Sequence, residues 1–152
     1  YRTARTNEIP YTSKKAKRPH QTISVGIILN EQEQVLIAQR PEEAMLGGLW
    51  EFPGGKKEQD ESSLVALHRE IKEELGIEIS VIEEFMSLNH AYSHFTITLS
   101  AYLCVLKPTE KTQIPIAKAS DQIKWVSIQE LKKYPFPKAN KTLTLELMKR
   151  FA

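Results

Sequence analysis

The chain has 152 residues, 41% of them apolar and 26% charged, with a formal net charge of +2. That length suits one compact core, and no run approaches the ~20 consecutive apolar residues of a membrane-spanning helix, so no membrane partner is expected. A single cysteine, Cys104, excludes disulfide stapling within the chain and makes a reducing cytoplasm the expected compartment.

Charge is unevenly placed. Residues 1–20 hold Arg2, Arg5, Lys14, Lys15, Lys17 and Arg18 against Glu8, a net of +5 that leaves −3 for the remainder. This stretch has no helical or strand periodicity and is bracketed by Pro10 and Pro19, so it reads as a linker or surface-hugging arm ahead of a domain over residues 21–152. Lys14, Lys15, Lys17 and Arg18 would either contact DNA phosphates, which makes binding salt-sensitive, or belong to a merely soluble tether. Tyr1 stands where an initiating methionine would, as in a piece of a longer chain.

Residues 22–29 and 34–38 read as strands joined by a turn at Asn30-Glu31-Gln32-Glu33. Next comes Gly48-Leu49-Trp50-Glu51-Phe52-Pro53-Gly54-Gly55, an extended segment broken by a double glycine, where backbone bends tightly enough to approach a phosphate or metal. The run from Gly55 to Ile77 is predicted helical, with Leu64, Leu67, Ile71 and Leu75 as its apolar stripe and Gly76 as its stop. At roughly 100° per residue, Glu70, Glu73 and Glu74 project within one arc of that helix. Carboxylates held so close resist joint ionisation unless a cation sits among them, and hard oxygen ligands select Mg²⁺ or Mn²⁺. Such an ion bridges substrate phosphates, neutralises developing charge and activates a water. Arg69 precedes Glu73 by four residues, the spacing of a pair that fixes the carboxylate's rotamer. Glu61, half a rotation from Glu70 and near the helix start, reads as structural. A solvated acidic face would look similar on the helix alone; the double-glycine lead-in separates the two readings.

After Gly76, residues 78–88 read as extended. Phe95, Ile97, Leu99, Ala101, Leu103 and Val105 alternate with Thr96, Thr98, Ser100, Tyr102 and Cys104, predicting a long strand with one buried face. Between these elements lies His90-Ala91-Tyr92-Ser93-His94, which taken by itself reads as a polar strand end whose histidines face water. Further on come a short strand at 122–126, a helical turn at 128–132 and a closing helix at 141–151. Asn140 offers a donor and an acceptor in one plane, which suits a base edge, and is equally well placed to N-cap the closing helix. Phe136 packs on a base or fills the core, core being the stronger reading. A mixed sheet with helices on both faces, an α/β fold, is the simplest arrangement.

The spacing of Gly55, Glu61, Arg69-Glu70-Ile71, Glu73-Glu74 and Gly76-Ile77 matches the Nudix box, and the chain is identified as a member of that superfamily of nucleoside diphosphate hydrolases. The resemblance implies a Nudix-fold α/β/α sandwich, catalysis by Arg69, Glu70, Glu73 and Glu74, and Mg²⁺ or Mn²⁺ held by Gly55, Glu70, Glu73 and Glu74. Tyr92-Ser93-His94 resembles the aromatic-Ser-His loop in the C-terminal domain of MutY-type adenine DNA glycosylases, with Tyr92 where those enzymes usually carry phenylalanine, and the arm resembles their linker. That likeness implies a domain that reads 8-oxoguanine in DNA through Tyr92, Ser93 and His94 during base excision repair of mispairs with adenine. An iron–sulfur cluster would belong only to a preceding part of such a parent. This is the first expectation. Phe136-Pro137-Lys138-Ala139-Asn140 is similar to an element of MutT-type 8-oxo-dGTP diphosphatases, which implies the alternative, a monomer hydrolysing 8-oxo-dGTP to the monophosphate and pyrophosphate with Asn140 as a base-binding residue. The intact box departs from the glycosylase pattern, where it is commonly degraded. The additional acid of MutT-type enzymes has only Asp121 as a candidate here, in a register that looks wrong.

Overall fold

A computed structural model describes residues 18–152. The strands are β1 (His20–Leu29), β2 (Gln34–Gln39), β3 (Trp50–Glu51), β4 (Gly54–Lys56), β5 (Ile79–Ala91), β6 (Thr96–Leu106) and β7 (Gln122–Ser127). Among the described residues there are also two α-helices, α1 (Ser63–Leu75) and α2 (Lys138–Arg150), and a 3-10 turn at Ile128–Lys133. The seven strands form one sheet ordered β3-β2-β1-β6-β5, with β4 pairing β1 and β7 pairing β2. Only β1 and β6 run parallel, from His20↔Thr96 to Leu29↔Val105, so the sheet is mixed.

Two cores follow from the alternation of strand side chains. On one face Val25, Ile27, Leu99 and Leu103 pack with Leu131 of the 3-10 turn and Leu143 and Leu147 of α2. On the other Ile28, Leu36, Tyr102 and Cys104 meet Leu67, Ile71 and Leu75 of α1. Each such buried aliphatic side chain contributes about 1.5–3 kcal/mol relative to exposure. Helices on both faces of a mixed sheet are the α/β/α sandwich expected from the sequence. β6 is buried on both faces toward its end, not on one, because α1 covers Tyr102 and Cys104.

The box run is not one helix. Gly54 and Gly55 lie in β4, where Gly55 pairs with Ser24, and α1 begins only at Ser63. Ser62 caps it by accepting the Val65 N–H at 3.1 Å, and Gly76 ends it in the left-handed region at φ 69°. Glu61 therefore precedes the helix. Leu64, on the first turn, is exposed, and Ala66 takes its place in the buried set. Angular position sets the direction a side chain faces; the extent of the opposing sheet decides whether anything is there. α2 starts three residues earlier than periodicity suggested, with Pro137 at the N-cap, so Asn140 lies inside the helix and caps nothing. His20, assigned by sequence to the arm, opens β1.

Candidate active site

Glu70 and Glu74, one turn apart on α1, face the double glycine of β4. Glu74 Oε1 accepts the Gly54 N–H at 3.3 Å. A Cβ on Gly55 would lie 2.5 Å from Glu70 Oε1, so the missing side chain is what lets that carboxylate rest on the backbone. Gly54, at φ 148°, holds a conformation closed to other residues, and a Cβ there would meet Ser24 O at 2.0 Å. Burial, then the nearby Glu51 and Glu70 charges, push the Glu74 carboxyl up to about 8. Glu51 is raised as well, by burial that outweighs its ion pair with Arg40 at 3.1 Å.

Arg69 organises the outer side. Its Nε and Nη2 form a fork on Glu61, Nη2 at 2.9 Å, while Nη1 reaches Glu70 at 3.0 Å and Glu73 at 3.2 Å. Nη2 also donates to Lys56 O at 3.1 Å, tying α1 to β4. The spacing-based pair with Glu73 exists, yet Glu61 is the main partner because only it receives the bidentate fork. Glu73 points outward with a side chain 60% exposed, away from Gly54 and Gly55. Hydrogen bonds from Arg69 and the Glu58 N–H hold the Glu61 carboxyl down at about 2, against an ordinary 4.5. A depressed folded-state value contributes stability that is present above about 4.5 and lost as pH falls toward 2. Acid titration followed by circular dichroism should accordingly show a smaller loss of stability between those values for Glu61→Gln than for the unaltered protein; equal losses would remove Glu61 from this role.

Among the described residues, no three His, Cys, Asp or Glu side chains stand close enough to form a ready-made metal cage. The arrangement nevertheless fits Mg²⁺ in kind. The donors are all oxygens, and Mg²⁺ is commonly held by one or two carboxylates plus substrate phosphates. Glu70, Glu74 and the Gly55 carbonyl would hold it, with Glu73 joining only after releasing Arg69.

A cavity of about 120 Å³ opens beside this cluster, lined by Ile23, Val25, Ile97 and Leu99 and by the polar groups of Gln21, Arg40, Glu51 and Asn140. Asn140 is 9% exposed, and its Oδ1 is buried with no hydrogen-bond partner. Tyr92 lines the same cavity, stacked on Phe95 at 4.8 Å with its hydroxyl 3.5 Å from the Ala139 N–H. Ser93 and His94 are exposed and do not line it. Phe136 stacks on Phe52 at 5.5 Å, which is the core role. Arg18 donates to Tyr92 O at 2.8 Å; Lys14, Lys15 and Lys17 lie outside the described residues. Asp121 is exposed just before β7, its N–H donating to Gln39 O at 3.0 Å. Glu51, which sequence reading passed over, is the group shared by cavity and box: it lines the first and its charge is felt by Glu74 in the second. An acidic residue inside the apolar run Leu49-Trp50-Glu51-Phe52 was the available signal.

The site thus joins a half-buried, glycine-backed carboxylate pair on a helix to a cavity with aliphatic walls and the Asn140 amide, an arrangement of the kind a nucleotide hydrolase needs. The chain belongs to the NUDIX domain family, whose model matches residues 24–146. It is similar to the 8-oxo-dGTP diphosphatase of Escherichia coli (strain K12), 34% identical over 82% of this chain and 94% of that one. It is also similar to that organism's CTP pyrophosphohydrolase, 39% identical over 62% of this chain and 82% of the relative. The solution structure of the E. coli ORF135 protein superposes with a TM-score of 0.74 at 33% identity, covering 90% of this chain and 94% of that one.

Proposed function

We propose that the protein is a Mg²⁺-dependent diphosphatase of oxidised purine nucleotides, hydrolysing 8-oxo-dGTP to 8-oxo-dGMP and pyrophosphate. The observation that carries this reading is the buried Oδ1 of Asn140, without a hydrogen-bond partner, on a residue that lines one cavity with Glu51, whose charge reaches Glu74 of the box. Guanine presents only acceptors at N7 and O6, whereas oxidation at C8 turns N7 into an N–H donor. The Asn140 amide, with Oδ1 accepting from N7 and Nδ2 donating to O6, complements the oxidised base alone. Aliphatic side chains of β1 and β6 hold the ring, and Glu70 and Glu74 face the phosphates. Bound Mg²⁺ would neutralise those phosphates and make an attacking water more acidic. Arg69 keeps the Glu70 carboxylate oriented, and Gly54 donates its N–H to Glu74. Two of the relatives described above, an 8-oxo-dGTP diphosphatase and a CTP pyrophosphohydrolase, support the reaction class.

The glycosylase reading placed first by the sequence stands behind this one, because those relatives are diphosphatases. One observation favours it: Ser93 and His94 sit solvent-exposed at a loop tip beside the cavity, anchored by Arg18, where a lesion in a strand could reach them. The cluster cysteines of such a parent are absent from these 152 residues, which contain only Cys104.

Steady-state hydrolysis of 8-oxo-dGTP, dGTP and CTP with Mg²⁺ separates the readings. Selective turnover of 8-oxo-dGTP is the expected result. No turnover, together with duplex binding that prefers 8-oxoguanine to guanine, would overturn it in favour of lesion reading.

A further inference from the structure

The segment between β2 and β3, residues 40–49, is closed on itself through one residue, Arg40. Arg40 donates its backbone N–H to Leu49 O at 2.9 Å and accepts the Gly48 N–H at 3.0 Å, pinning the two ends together. Its guanidinium then works in two directions: Nε donates to Met45 O at 2.7 Å, at the loop tip, and Nη1 to Glu51 Oε1 at 3.1 Å, on the cavity wall. A planar fork has the geometry for two such fixed bonds, which a lysine ammonium lacks. At the tip, Met45 is 63% and Leu46 37% exposed, although both line the cavity. Leu46 also has φ 59°, in the left-handed region that a non-glycine residue occupies only when its surroundings impose it. Two large apolar side chains, one of them on a residue with left-handed backbone, line the cavity and remain exposed.

We propose that Arg40 is a positioning residue that clamps this loop to the cavity wall, so that Met45 and Leu46 form the apolar cover of a nucleobase held beside Asn140. The inference rests on the nucleotide reading above and adds a specificity element outside the box. The base lies between aliphatic groups of the sheet on one side and Met45 and Leu46 on the other, a sandwich that accepts any flat heteroaromatic ring and leaves the choice of base to Asn140 and Glu51. Because Arg40 reaches the loop and Glu51 together, loosening it weakens base binding while the box carboxylates stay where they are.

The test compares the Mg²⁺-loaded protein with Arg40→Lys, which keeps the charge and loses the fork, and with Met45→Ser, a surface change that does not endanger folding. Hydrogen exchange of peptides spanning residues 41–49 is read with and without 8-oxo-dGMP, alongside KM and kcat for 8-oxo-dGTP. In the unaltered protein 8-oxo-dGMP should slow exchange there. Arg40→Lys should speed exchange of the free loop and raise KM about tenfold, with kcat changed much less, as expected for loss of a charge-assisted hydrogen bond remote from the reacting phosphates. Met45→Ser should raise KM in the same direction without loosening the free loop. Unchanged loop exchange and KM in Arg40→Lys would overturn the proposal. If the unaltered protein neither binds 8-oxo-dGMP nor turns over 8-oxo-dGTP while Arg40→Lys still loosens the loop, the base cover falls together with the nucleotide reading and the clamp alone stands.

Discussion

Glu74→Gln is expected to lower Mg²⁺-dependent turnover of 8-oxo-dGTP about 10³-fold, roughly 4 kcal/mol of transition-state stabilisation, while making the metal-free protein more stable. The two effects have one origin. Glu74 is half-buried against the Gly54 N–H with Glu51 and Glu70 close by, so without a cation its carboxyl is pushed up to about 8, and above about 4.5 folding must either keep it protonated or bear its desolvation and repulsion. Glutamine keeps the side-chain shape and a carbonyl oxygen for Gly54, and removes the charge. Relief of that crowding should raise stability by about 1–2 kcal/mol, or about 2–8 °C in melting temperature. Glu73→Gln gives the contrast. Its side chain is largely exposed and pairs with Arg69, so its loss should leave the melting temperature within about 1–2 °C, as for other surface changes. Calorimetry in EDTA and steady-state kinetics in Mg²⁺ measure the pair. A Glu74→Gln protein that melts lower and retains turnover would make this carboxylate structural and remove it from the reaction.

The parts of the site that were legible in the sequence share a property: their geometry is set by neighbours in the chain. Glu70 and Glu74 meet on one face because a helix turns by a fixed angle per residue, and Gly54-Gly55 announces a close backbone approach by composition alone. Groups whose position depends on distant strands were not legible. Glu51 reaches Glu74 only because β3 and α1 are carried by different parts of one sheet, and a single acid within an apolar run has no period to reveal it. The fork from Arg69 to Glu61 was missed for a related reason. It crosses the boundary between loop and helix, and the helix was expected to start eight residues too early, at Gly55. Tyr92, Ser93 and His94 were read together as one recognising group. The strand end separates them, turning Tyr92 toward α2 and leaving the other two in solvent.

Asn140 carries the second large expectation, because its two sequence readings predict opposite outcomes. Asn140→Leu should lower kcat/KM for 8-oxo-dGTP by about 10²-fold or more and bring its ratio to dGTP within about tenfold, since a site built to hydrogen-bond a base loses its discrimination when that partner is removed. Were Asn140 a helix cap, the same change would cost about 0.5–2 kcal/mol of stability and leave selectivity alone. The structure places it as the third residue of α2, after Pro137, lining the cavity, with Oδ1 buried and unpaired. Replacing a buried acceptor that has no partner by an apolar group of similar size is close to neutral, so the melting temperature should hold or rise. Thermal melts and competitive hydrolysis of 8-oxo-dGTP against dGTP decide it. Loss of stability with selectivity retained would return Asn140 to the helix terminus, and base recognition would then have to come from Glu51, a half-buried carboxylate on the same cavity wall.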